Sequence, residues 1–109
     1  MERGTICFTT VGGGLDHDQG TRQVLVIGRT ELGAVTGETI VLPISHIEPR
    51  WTYPLSWPIP HGLFPQPAWV LINRPRAALI SRLRDSVAVL ETDQLDEIAT
   101  GLRQLIESS

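Results

Sequence analysis

A mainly β fold with one C-terminal helix, a small β-barrel with a helix packed on it, is predicted by three observations. Apolar, β-rich runs recur at 5–9, 23–27, 39–44, 68–72 and 86–90. Clusters rich in glycine or proline separate several of them. Only the last stretch places apolar residues at helical spacing, at Leu95, Ile98, Ala99, Leu102, Leu105 and Ile106. The 109 residues suit a single domain, 1–109, with one modest core.

The elements follow in order. Thr5–Thr9 alternates weakly and reads as a strand. Residues 11–20 hold three successive glycines followed by Asp16, His17 and Asp18, a loop with neither the Lys nor the following helix of a P-loop. Gln23–Ile27 is a strand buried on both faces, and Thr30–Glu38, with Gly33 and Gly37, is a connection. Thr39–Ile44 is a strand whose Pro43 suggests an edge or a bulge.

Residues 49–67 hold six prolines interleaved with Trp51, Tyr53, Trp57 and Phe64. Such a segment either stacks bases or grips a peptide, or is a rigid loop whose aromatics cap the core. Trp57 falls in a more strand-like stretch, Tyr53–Ile59, and is expected in the core, whereas Trp51 and Tyr53 are expected to meet a partner or RNA. Ala68–Ile72 is a strand ended by the turn Asn73-Arg-Pro-Arg76. Ala77–Leu83 either pairs back or makes a short helical turn, and Ser86–Leu90 is the final strand. The helix is capped by Thr92 or Glu91, its first-turn acids suit the positive end of the helix dipole, and Gly101 weakens it slightly.

Charge is unevenly spread. Residues 22–84 carry seven arginines (22, 29, 50, 74, 76, 82, 84) against Glu31, Glu38 and Glu48, while both ends are acidic and the whole chain is −3. That balance argues against a non-specific nucleic-acid coat but leaves room for a local basic groove. The chain has no Lys, and Arg forks onto phosphate better than Lys does. No apolar run approaches the roughly 20 residues of a membrane span, and Met1-Glu-Arg-Gly4 lacks a signal-peptide pattern, so a cytoplasmic protein is expected. The lone Cys7 has no disulfide or zinc partner, and His46 and His61 lack metal-ligand spacing. Neither a metal nor a cofactor is expected.

Two segments carry the chemistry: Gln19-Gly-Thr-Arg-Gln-Val-Leu-Val-Ile27 and Ile40-Val-Leu-Pro-Ile-Ser-His46. Each joins an apolar run to a polar end, so neighbouring strands could hold Arg22, Ser45 and His46 at one end of a sheet, a grouping suited to phosphate chemistry. These segments, with Met1-Glu-Arg-Gly-Thr-Ile6, Asp16-His-Asp-Gln19 and Val70-Leu-Ile-Asn-Arg-Pro-Arg76, make the chain resemble the Kid/PemK/MazF family of toxins from bacterial toxin–antitoxin pairs. The resemblance covers nearly the whole chain in order.

It implies an SH3-like barrel of the MazF/Kid/CcdB type, a homodimer, metal-independent cleavage of single-stranded RNA, and inhibition by a cognate antitoxin peptide. Carried over, Arg22 stabilises the phosphate, Ser45 stands where the family usually has Thr, and His17 sits in the loop over the site. Gln19, Thr21, His46, Arg50, Trp51, Asn73, Arg74 and Arg76 are then candidate RNA contacts. Three departures matter. Gln23 replaces the usual Pro and is expected to change local stiffness only. Ser45 keeps a hydroxyl but loses the methyl that restricts its rotamer. Asn73 stands where Kid-type members have an Asp implicated in acid/base work, and Asn exchanges no proton near neutrality, which leaves a MazF-style site around Arg22 and Ser45. The competing readings are a surface Arg22, a turn Ser45, an inert loop His17, and a gyrase-directed or non-catalytic binding protein on the same scaffold.

Overall fold

The computed structural model describes residues 1–10 and 21–107. Its strands are β1 (Thr5–Thr10), β2 (Thr21–Val26), β3 (Glu38–Ser45), β4 (Ser56–Pro58), β5 (Trp69–Leu71), β6 (Arg76–Leu79) and β7 (Leu83–Val89), with helices α1 (Thr30–Thr36) and α2 (Thr92–Ile106). All strand pairings are antiparallel.

The expected closed barrel does not form. The strands make one open sheet in the order β4-β5-β3-β2-β1-β7, with β6 also paired to β3, and among the described residues no ladder joins the β4 border to the β7 border. The borders explain this. β4 is three residues long and ends in Pro58, with Pro54 before it and Pro60 after it, so it has few backbone donors to offer a further neighbour. β7 is irregular: Ile6 pairs with Ala88 but Phe8 pairs with Arg84, and Asp85 lies at φ 61°. The mainly β content with a C-terminal helix is as expected.

β2 behaves as its unbroken apolar run demands. Leu25 joins Ile6, Leu42, Trp57, Val70, Ile72, Leu95 and Ile98 in the larger cluster, while Val24 and Val26 join Cys7, Val41 and Leu83 in a second one. The alternation of side chains along a strand separates these two sets. Burial pushes the Cys7 thiol pKa up, against a smaller downward pull from the N-terminal amine.

Glu38 already begins β3, and most of the stretch read as a connection at 30–38 is a helix, Thr30–Thr36. Its glycines disguised it: α1 ends on Gly37, at φ 76°, whose N–H donates to the Gly33 carbonyl at 2.8 Å. The stretch Ala77–Leu83 realises both readings offered for it, a strand that begins one residue earlier at Arg76 and then a 3-10 turn at Ile80–Arg82, and the last strand starts three residues earlier than expected. α2 is capped by Glu91, whose carboxylate accepts from the Gln94 N–H while Gln94 Oε1 accepts from the Glu91 N–H at 2.9 Å.

The Pro/aromatic segment is fastened to α2. Trp57 is buried and its Nε1 donates to Glu97 Oε1 at 2.7 Å; Tyr53 donates its hydroxyl to the Glu97 carbonyl at 2.8 Å. Trp57 is therefore a core residue as expected, and Tyr53, expected to meet a partner or RNA, is anchored on the helix through its hydroxyl. Its ring lies over Gly101, where an added Cβ would sit 3.0 Å from Tyr53 Cε2 and 3.2 Å from Ile72 Cδ1.

Candidate functional site

β3 is the strand on which the site is built. Its first half pairs with β6 (Glu38–Val41 against Leu79–Arg76), its second half pairs with β2, and its last residues pair with β5. The strand ends of β2 and β3 thereby meet the turn after β5. Between them lies a cleft of about 720 Å³, lined by Phe8, Arg22, Gln23, Ser45, His46, Arg74, Arg76 and Arg82 among others. Glu38 is the one acid among its described lining residues. Four guanidinium groups against one carboxylate make an anion-binding surface, and an open, solvated one suits an extended polyanion better than a small buried ligand.

The candidate residues divide. Arg22 is exposed at the start of β2, in register with Thr9. Ser45, His46, Arg74 and Arg76 share its cleft. Thr21 begins β2 opposite Thr10. His17 and Gln19 lie outside the described residues. Asn73 is exposed beside the cleft rather than among its lining residues, and its backbone N–H donates to the Leu55 carbonyl at 3.3 Å. Arg50 and Trp51 are also outside that lining. They stack on each other, guanidinium carbon to ring centroid 5.2 Å, with Trp51 57% exposed.

Ser45 is engaged in its own turn. Its hydroxyl donates to the Ile47 carbonyl at 2.8 Å and accepts from the Ile47 N–H at 3.0 Å, the local closure that Ser favours at a strand end. His46 is fixed on three sides: Nδ1 lies 3.1 Å from the Pro67 carbonyl, Nε2 lies 2.7 Å from Gln23 Oε1, and the ring meets Phe64 edge-on at 5.4 Å. Arg82 and Glu38 were not singled out as site residues from the sequence, and Gln23 was read only as a change in local stiffness. The excess of arginine over 22–84 was the available signal for Arg82; the pairing of β3 with β6 is what supplies Glu38.

A second depression, about 390 Å³, is apolar and lies beside α1 and α2, lined by Ile27, Leu32, Ile40, Leu95, Leu102 and Ile106 with Arg3, Arg29 and Arg103 also present. Among the described residues no three His, Cys, Asp or Glu side chains are grouped to hold a metal ion, and no helix is long and apolar enough to cross a membrane.

The chain is thus a small protein with an open antiparallel sheet, a C-terminal helix and an arginine-lined cleft. Residues 2–106 match the family described as PemK-like, MazF-like toxin of type II toxin–antitoxin system. The chain belongs to that family. Its structure is similar to that of MazE–MazF (Form-II) from Deinococcus radiodurans, with a TM-score of 0.83 and 23% identity over 100% of this chain and 97% of the other. It is similar also to MazF (Form-I) from the same organism, at 0.75 and 25% over 97% and 96%. An endoribonuclease in complex with its cognate antitoxin from a mycobacterial species matches at 0.73 and 15% over 95% and 92%. The comparison with curated proteins yields no match.

Proposed function

We propose that this chain is a toxin that cleaves single-stranded RNA without a metal ion and is held inactive by a cognate antitoxin. The observation that carries this reading is the convergence of Arg22, Arg74, Arg76 and Arg82 on one open cleft that also holds Ser45 and His46. Family membership supports it, as does the similarity to an endoribonuclease seen with its antitoxin. In this reaction the RNA 2′-oxygen attacks the adjacent phosphorus as its proton is taken up. The bond to the 5′-oxygen breaks and that oxygen is protonated, leaving a 2′,3′-cyclic phosphate and a 5′-hydroxyl. Arg22 faces the charge that builds on the phosphorane, where a fixed cation stabilises the transition state more than the substrate. The apolar depression beside α1 and α2, with Ile40 and Ile106 exposed next to it, supports a homodimer.

A second reading, a protein that binds through the same cleft without cutting, is favoured by one observation: the Ser45 hydroxyl already has a donor and an acceptor partner within its own turn. The two readings part in one experiment. A long single-stranded RNA is incubated with the protein in excess EDTA and the ends are mapped. Discrete cuts with cyclic phosphate and 5′-hydroxyl ends, lost in Arg22→Ala, are expected. Tight binding with intact RNA would decide for the second reading.

A further inference from the structure

The sequence offered Gln23 as a change in stiffness; the structure gives it a fixed side chain. Gln23 follows Arg22 on β2, pairs with Phe8 across the ladder, is half-buried and lines the cleft. Its amide is held by His46, and the hydrogen bonds of that ring have a direction. A backbone carbonyl can only accept, so Nδ1 donates to Pro67. Nε2 lies 2.7 Å from the Gln23 amide at Oε1, so one end of the amide is engaged by the ring and the other is left for a further partner.

The neighbours reinforce this arrangement. The Phe64 edge contact and the Pro67 bond tie the imidazole to the Pro/aromatic loop, so the ring is a rigid post for the amide. Fixing a flexible amide in advance removes part of the ordering cost of a contact and sharpens discrimination, because a ligand lacking the matching group leaves the amide unpaired. The four arginines meet phosphates, which are alike in every nucleotide; a fixed amide among them meets what differs.

Resting on the reading of the cleft as an RNA site, we infer that Gln23, held by His46, is a specificity-determining residue that discriminates between a keto oxygen and an amino group at the pairing edge of a base. His46 acts through Gln23 and is a positioning residue.

Two ten-residue 2′-O-methyl oligonucleotides, all-uridine and all-cytidine, test this by fluorescence anisotropy at one fixed salt concentration. The methyl group blocks the 2′-oxygen, so binding is read without cleavage. Both oligomers carry the same phosphates, so the arginine contribution cancels in the ratio of affinities. The wild type is expected to bind one of the two oligomers about five- to tenfold more tightly than the other, the worth of one well-made hydrogen bond. Gln23→Leu should bring the ratio to within about twofold, and His46→Phe should reduce it while both oligomers still bind. Gln23→Met should act as Gln23→Leu does and decides the matter if the leucine variant fails to fold. A wild-type ratio near one, or a ratio that survives in Gln23→Leu or in Gln23→Met, overturns the inference and leaves the RNA reading standing. Failure of the wild type to bind either oligomer overturns both.

Discussion

Replacing Gly101 by Ala should destabilise the protein, although helix propensity argues the opposite. Gly101 lies in the middle of α2 and is buried. On propensity alone, Ala there should gain about 1 kcal/mol. The added methyl, however, would stand 3.0 Å from Tyr53 Cε2, 3.3 Å from Tyr53 Cζ and 3.2 Å from Ile72 Cδ1, each inside the usual separation of about 3.5–4.0 Å between carbons. The tyrosine cannot withdraw at no cost, because its hydroxyl is bonded to the Glu97 carbonyl one turn earlier on the same helix. Ile72 is fully buried. Overpacking of this kind costs about 1–3 kcal/mol, so the net expectation is a loss of about 0–2 kcal/mol. The assay is urea unfolding of Gly101→Ala in the wild-type background and in Tyr53→Leu, which removes Cε2 and Cζ and the anchoring hydroxyl. The loss should shrink or reverse sign in the second background. An alanine variant more stable than wild type, by the same amount in both backgrounds, would show that the close approach of Tyr53 to α2 is not what selects glycine.

Two further outcomes are expected. Ser45→Ala should lose about 1–2 kcal/mol of stability, because both bonds to Ile47 go, whereas Ser45→Thr should keep them; chemical denaturation checks this, and abolished RNA cleavage at undiminished stability would assign the hydroxyl to the phosphate instead. Cys7 should make the protein less stable in alkali. Burial raises its thiol pKa in the folded chain, so above about pH 8.5 the unfolded chain releases a proton that the folded chain keeps. The stabilising contribution is full below that range and is lost as pH rises through the folded value. Urea midpoints at neutral and alkaline pH should therefore fall further for wild type than for Cys7→Ala, and equal falls would contradict the assignment.

What was legible in the sequence was what local pattern determines. The unbroken Val24-Leu-Val26 run gave a strand buried on both faces, and the spacing of Leu95, Ile98 and Leu102 gave α2 its inner face. α1 was concealed because Gly33 and Gly37 carry the composition of a loop while one of them is a helix cap. Whether the sheet closes depends on what its two border strands can offer each other, and no window of sequence contains both. The cleft shows the same division. Arg22, Ser45, His46, Arg74 and Arg76 were readable as polar strand ends, but the bond between Gln23 and His46 spans 23 residues of chain, and the attachment of Tyr53 to α2 spans 44. Residue type alone left Tyr53 and Trp51 equivalent; the fold commits one to the helix and leaves the other exposed.

An unclosed sheet leaves backbone donors and acceptors along its rims, and such rims invite a second chain to add a strand. The irregular course of β7 bears on that hazard. A left-handed residue at Asp85, with the shift of register around it, breaks the straight row of amides that a foreign strand would need to zip along. Arg84 and Asp85 add exposed charges of opposite sign there, which an uncharged segment could cover only by stripping their water. The other rim is short and studded with prolines. The molecule can therefore keep its sheet open without also becoming a seed for its own aggregation.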